Sequence, residues 1–123
     1  MIELKQLTKH FEKFTALKNV DLKIETGTAF GLLGSNGAGK STIMRLLSGI
    51  YRADSGEALI DGENVYDNVA VKQRVFFIDD ETVQFSGYTL NKLKEYYKSY
   101  YPQFSDEIFD KLRRKLSCRL IRR

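Results

Sequence analysis

Gly34-Ser35-Asn36-Gly37-Ala38-Gly39-Lys40-Ser41 decides how this chain is read, because it fits the pattern G-x-x-x-x-G-K-[ST] without a mismatch. A polyphosphate needs many hydrogen-bond donors converging on it, and successive backbone N–H groups of a tight loop supply them. Gly34, Gly37 and Gly39 permit positive φ and let the backbone approach an anion with no Cβ in the way. Ser35, Asn36 and Ala38 complete the run of amides between them. A helix beginning near Lys40 aims its N-terminal amides and positive dipole end at the same anion. In this frame Lys40 reaches the β- and γ-phosphates of a nucleoside triphosphate. Ser41 ligates Mg²⁺, and Thr42 meets the α-phosphate side. From ordinary composition, a chance match is expected in well under ~1% of chains of this length.

The flanks agree with the loop. Ala29-Phe30-Gly31-Leu32-Leu33 is apolar on both faces, which predicts a central parallel strand running into it. Ile43, Leu46, Leu47 and Ile50 fall at i, i+3, i+4 and i+7, one face of a helix ending near Gly49. Upstream, Ile2, Leu4 and Leu7 predict a first strand. Val20, Leu22 and Ile24 alternate with polar residues in a second, a pattern that suits an antiparallel sheet with one wet face. Downstream, Asp54-Ser55-Gly56 reads as a turn, Glu57–Ile60 as a strand, and Asp61-Gly62 as a hairpin turn. Val75-Phe76-Phe77-Ile78 reads as a second buried strand. Thr89 caps a helix that turns Leu90, Leu93 and Tyr97 inward. Beyond Pro102, Ser105 caps another, with Asp106 and Glu107 in its first turn and Ile108, Leu112 and Leu116 as its apolar stripe.

Bulk properties narrow the function classes. A chain of 123 residues fits one domain, and 42% hydrophobic residues with 8 Phe and 7 Tyr provide material for a core. No apolar run approaches the length that crosses a bilayer, and the early Glu3 does not fit a secretory leader. The expectation is a soluble intracellular protein that meets a membrane only through a partner. The single cysteine, Cys118, excludes an internal disulfide. It reads as an inert thiol, and the single histidine, His10, reads as a surface residue at the end of the first strand. Net charge is +4, much of it from Arg113, Arg114, Lys115, Arg119, Arg122 and Arg123. These basic residues read as a solvated end, with no nucleic-acid footprint.

Beyond the loop, several blocks resemble the ATP-binding subunit of ABC transporters. They are Leu7-Thr8-Lys9-His10-Phe11, Ala16-Leu17-Lys18-Asn19-Val20-Asp21-Leu22 and the loop continued through Thr42. After it come Leu46-Leu47-Ser48-Gly49-Ile50, Asp54-Ser55-Gly56-Glu57 and Asp61-Gly62. The resemblance covers most of residues 1–101. It implies an α/β P-loop NTPase fold with a partly parallel core sheet plus an antiparallel β subdomain, and ATP with Mg²⁺ as the ligand. It implies that Phe11 stacks on adenine, with Phe14 the alternative. It also implies two partners, an integral-membrane permease and a second ATP-binding domain. The location implied is cytoplasmic, on the inner face of the membrane through that permease.

Two departures stand out. Where the family carries a Mg²⁺-sensing glutamine after a strand like Val75–Ile78, this chain has Asp80, with Gln84 nearby. Asp80 is then a candidate metal residue, since a carboxylate binds Mg²⁺ more strongly than an amide. The same stretch admits a rival reading. Val75-Phe76-Phe77-Ile78-Asp79-Asp80-Glu81 looks like a Walker B strand, with Asp80 and Glu81 as candidate catalytic residues of a compact, self-sufficient NTPase. Phe85-Ser86-Gly87-Tyr88-Thr89-Leu90 resembles the stretch just after the family's glutamine loop and favours the first reading.

The second departure is what residues 1–123 do not contain: Leu-Ser-Gly-Gly-Gln, a later Walker B strand and the switch histidine. Ser117, in Lys115-Leu116-Ser117-Cys118-Arg119, has no glycine pair beside it. The expectation is a truncated front portion of an ATP-binding domain, whose residues 117–123 are compatible with an altered reading frame or an early stop. Such a piece binds ATP better than it hydrolyses it, because nothing in it orients the attacking water. The choice is then between a transporter ATPase recorded in part and a catalytically inactive nucleotide-binding module. An exposed sheet edge would make either prone to aggregate.

Overall fold

The computed structural model describes residues 1–79, 85 and 87–116. They fall into two compact units, one formed by Met1–Ile78 and one by the described part of Asp79–Arg123.

The first unit is built on an antiparallel sheet. Strands β1 (Ile2–Phe11) and β2 (Phe14–Ile24) form a long hairpin, and β3 (Ser55–Ile60) pairs with the other edge of β1. A short β4 (Glu63–Asn64) completes the order β2-β1-β3-β4. The β1–β2 ladder is bulged, with register shifts between Leu4 and Leu7 and again up to His10. Gln6 and Asn19 take φ of 47° there. Asp21 holds the bulge, accepting from the Gln6 backbone N–H at 2.8 Å and from its side-chain amide. The buried Thr8 hydroxyl donates to Asn19 Oδ1 at 3.1 Å and accepts from the Asn19 N–H at 3.0 Å, so its polar group is not stranded in the core. The Asp61-Gly62 hairpin forms as the sequence predicts, with φ of 52° and 81° at the two turn residues. Arg74 fastens it, donating to Asp61 Oδ2 at 3.2 Å and Glu63 Oε1 at 2.8 Å.

Helix α1 (Lys40–Leu47) turns Ile43 and Leu46 into a cluster with Leu4, Leu7, Leu17, Ala58, Val65 and Val71. Its last turn closes on Gly49, with Ser48 N–H donating to Met44 O at 2.9 Å and Gly49 N–H to Leu46 O at 3.0 Å. Ile50, expected on the buried stripe, therefore lies past the helix and is 55% exposed. Burying each such leucine stabilises by about 1.5–3 kcal/mol. Leu46 is only 1% exposed, so Leu46→Ala is expected to lower stability by about 2–5 kcal/mol in urea unfolding, transfer loss and cavity together. Sequence reading did not find helix α2 (Val69–Lys72), whose cap is Asn68, accepting from Val71 N–H at 3.2 Å.

The expected parallel strands are not formed. Residues 29–33 and 75–78 carry no strand pairing, and the sheet among the described residues is antiparallel throughout. A strand buried on both faces needs ladder partners on its edges, and none of the described residues supplies them. Leu33 is accordingly 94% exposed and Ile78 81%. Ser55 and Gly56, read as part of a turn, belong to β3.

In the second unit, helix α3 (Leu90–Tyr100) is capped by Thr89 and α4 (Asp106–Lys115) by Ser105, both as predicted. Leu90, Leu93 and Tyr97 are half-buried, whereas Ile108, Leu112 and Leu116 of the α4 stripe are 51–69% exposed. Asp106 joins the two helices, bonded at 2.7 Å by both Lys94 and Lys98. Those bonds hold its carboxyl below the usual carboxylate range. The lowered folded value means that the contribution of this clamp is complete at neutral pH and is lost as pH falls through that value. An NMR titration of the Asp106 carboxyl is expected to show a lower midpoint in the native chain than in a Lys94→Ala/Lys98→Ala variant.

Candidate phosphate-binding site

Lys40 opens α1, and Gly39 in front of it takes φ of 91°. A Cβ on Gly39 would lie 2.9 Å from the Ala16 carbonyl oxygen and 2.7 Å from Leu17 Cδ2. The loop is thus pressed on β2 so closely that only glycine fits, and its left-handed conformation would strain any other residue. No side chain caps the helix, and no acidic residue stands in its first turn. Its leading N–H groups and positive dipole end are left for an anion.

The loop is folded around its own lysine. Lys40 Nζ donates to Gly34 O and Ser35 O, each at 2.6 Å, and Ala38 N–H donates to Ser35 O at 3.2 Å. The ammonium is thereby held over the cradle into which phosphates would settle. Residues 34–38 are exposed, as is Ser41, and Thr42 is half-buried. Among the described residues no protein group engages the Ser41 hydroxyl, so it is available to a cation. Uncapped helix, glycine-only approach, poised ammonium and open hydroxyl together fit a Mg²⁺-bound polyphosphate.

The remaining predicted residues are less gathered. Phe11 lies at the end of β1, paired across the hairpin with Phe14, which is 55% exposed. The same β2 strand carries Ala16 and Leu17 onto Gly39. The Phe11 ring meets Tyr51 edge-on, a neighbour that sequence spacing did not announce. Asp80, Glu81, Gln84, Ser86, Ser117 and Cys118 lie outside the described residues. Among the described residues no three His, Cys, Asp or Glu side chains form a metal cluster, and no helix is long and apolar enough to cross a membrane.

The family model described as ABC transporter matches residues 17–121. This chain belongs to the ABC transporter family. Among relatives of this ABC chain, the ABC transporter ATP-binding protein YtrB of Bacillus subtilis is 41% identical over 104 residues, which is 85% of the chain and 36% of the relative. The sulfate/thiosulfate import ATP-binding protein CysA of Rhodopseudomonas palustris is 43% identical over 63% of the chain and 22% of its own length. The chain therefore spans about a third or less of these relatives. In fold it is similar to the solved ATP-binding subunit of an ABC transporter, with a TM-score of 0.84 at 24% identity over 98% of this chain and 52% of that one. A dimeric bacterial ABC transporter cassette matches with a TM-score of 0.73 at 26% identity, over 96% and 55% of the two chains. The fold class is thus that of the α/β P-loop cassettes, with the antiparallel subdomain in place.

Proposed function

We propose that this chain is the nucleotide-binding portion of an ABC-type ATP-binding subunit, and that it binds MgATP through residues 34–42. The observation that carries this is the glycine-only junction at Gly39, which delivers Lys40 and an uncapped helix end to one cradle. In the complex the backbone N–H groups of 34–40 bind the phosphates. Lys40 neutralises the β- and γ-phosphates, Ser41 holds Mg²⁺ and Thr42 meets the α-phosphate. Phe11 stacks on the adenine. The bound Mg²⁺ supplies charge neutralisation at the terminal phosphates. By resemblance alone, Asp80 stands where the family carries its Mg²⁺-sensing glutamine.

The relatives' names support a role in transport. CysA is an import ATP-binding protein, and so is the ribose import protein RbsA of Lacticaseibacillus paracasei, 50% identical over 62 residues. By this reading the subunit works on the cytoplasmic face of the membrane, against a permease and beside a second ATP-binding domain. Residues 1–123 themselves contain neither the Leu-Ser-Gly-Gly-Gln signature nor a second acidic strand end, so they bind ATP and do not turn it over. The check is phosphate release from saturating MgATP by the purified 123-residue chain. It is expected to equal the background of Lys40→Ala. Turnover that requires Lys40 would instead assign Walker B chemistry to Asp79, Asp80 and Glu81.

A further inference from the structure

The Phe11 ring does not stand alone. Its centroid lies 5.3 Å from that of Tyr51 with the planes at 70°, an edge-to-face pair worth more than the area it buries. Lys9 Nζ sits over the Phe11 ring at 5.4 Å. Lys9 is steadied in turn by Asp54, 3.5 Å away, whose carboxylate also accepts from the His10 N–H at 2.6 Å.

Tyr51 is placed by the phosphate-loop helix. Gly49 ends α1 with φ of 71°, and the N–H groups of Ile50 and Tyr51 both donate to Arg45 O, at 2.9 and 3.2 Å. Helix α1 therefore begins at the phosphate cradle, and its C-terminal cap carries the ring that meets Phe11. Its 8 residues rise about 12 Å, so a short rigid element joins both ends of the nucleotide's expected footprint.

We infer that Tyr51 is a positioning residue for the base platform: it fixes the plane of the Phe11 ring and ties it, through α1, to the phosphate loop. The inference rests on the reading that Phe11 stacks on adenine. Fixing the plane beforehand removes an ordering cost at binding, so Tyr51 acts on recognition of the base and leaves recognition of phosphate untouched. Tyr51 borders an open cleft of about 410 Å³, shared with Leu46, Asp54, Asn64 and Tyr66. Tyr51 also packs against the cluster that contains Leu46, so shortening it costs packing as well, which the base-free ligand and Tyr51→Phe separate from recognition of the base.

The experiment compares equilibrium binding of MgATP with that of Mg-tripolyphosphate, which has no base. It uses the full chain and its Tyr51→Ala, Tyr51→Phe, Phe11→Ala and double Phe11→Ala/Tyr51→Ala variants. Tyr51→Ala is expected to weaken MgATP about threefold to tenfold and to leave tripolyphosphate within about twofold, with Tyr51→Phe restoring native affinity. Phe11→Ala is expected to lose at least as much, and the double variant no more than Phe11→Ala alone. If Tyr51→Ala binds MgATP like the native chain while Phe11→Ala does not, the inference about Tyr51 fails and the stacking reading stands. If Phe11→Ala leaves MgATP binding unchanged, the stacking reading fails and takes the inference with it. Equal losses for both ligands in Tyr51→Ala would show that the ring acts on the loop or the fold, and would overturn the inference as well.

Discussion

Gly39→Ala is expected to reduce MgATP affinity more than about a hundredfold and to destabilise the chain by about 2–4 kcal/mol. Two effects add. The backbone at 39 has φ of 91°, a conformation that costs a residue with a Cβ about 1–2 kcal/mol. The new methyl would also lie 2.9 Å from the Ala16 carbonyl oxygen. That atom belongs to the one residue of β2 skipped between the paired Thr15 and Leu17, so it is flanked by residues fixed on β1. The loop must therefore move away from the strand, taking the first turn of α1 with it. The amides that converge on the phosphates lose their common focus, and the whole cradle is affected rather than one contact. Calorimetric titration with MgATP and urea unfolding read the two effects separately. Affinity close to that of the native chain would show that the junction does not set the cradle.

Lys40→Ala is expected to weaken MgATP binding by about 10- to 100-fold, since a charge-assisted bond to phosphate is worth about 1.5–3 kcal/mol. Its effect on stability is the opposite in scale to that of Gly39→Ala. In the free chain Lys40 Nζ bonds to Gly34 O and Ser35 O, which are exposed and turn to water once the amine is gone. The unfolding midpoint should therefore move little. Lys40→Arg should not restore binding, because a planar guanidinium does not replace a compact ammonium between two carbonyls 2.6 Å away. A large loss of stability in Lys40→Ala would mean that the lysine holds the fold together and that its binding defect is indirect.

Gly39 and Lys40 also show which features a sequence carries openly. Although the close approach of Gly39 to β2 is a tertiary demand that the pattern meets without announcing it, the loop is readable because its positions answer separate demands of the phosphate ligand. The same holds for the Asp61-Gly62 hairpin and for the caps Thr89 and Ser105, all local chemistry. Residues 29–33 and 75–78 differ from their expected strands for the converse reason. An apolar run records the burial it would have in a sheet, but a strand exists only when another strand completes its ladder. Leu33 at 94% exposure shows that run without one. Ile50 departs on a finer point, since the helical spacing continues past the glycine that ends the helix. Helix α2, a four-residue element, is too short for any periodicity, and only Asn68 before Val-Ala-Val marks it. Tyr51 carries no signal, because its place depends on the Arg45 carbonyl and on a strand far earlier in the chain. Asp80 and Glu81, the candidates for metal and catalytic work, lie outside the described residues.

The proposed function depends on residues 34–42 forming a working cradle for MgATP. The decisive measurement is calorimetric titration of the native 123-residue chain with MgATP, run beside Lys40→Ala. Saturable binding at one site is expected in the native chain, with binding weaker by at least about tenfold in the variant. Native and variant chains that bind equally, or a native chain that does not bind at all while folded, would contradict the assignment.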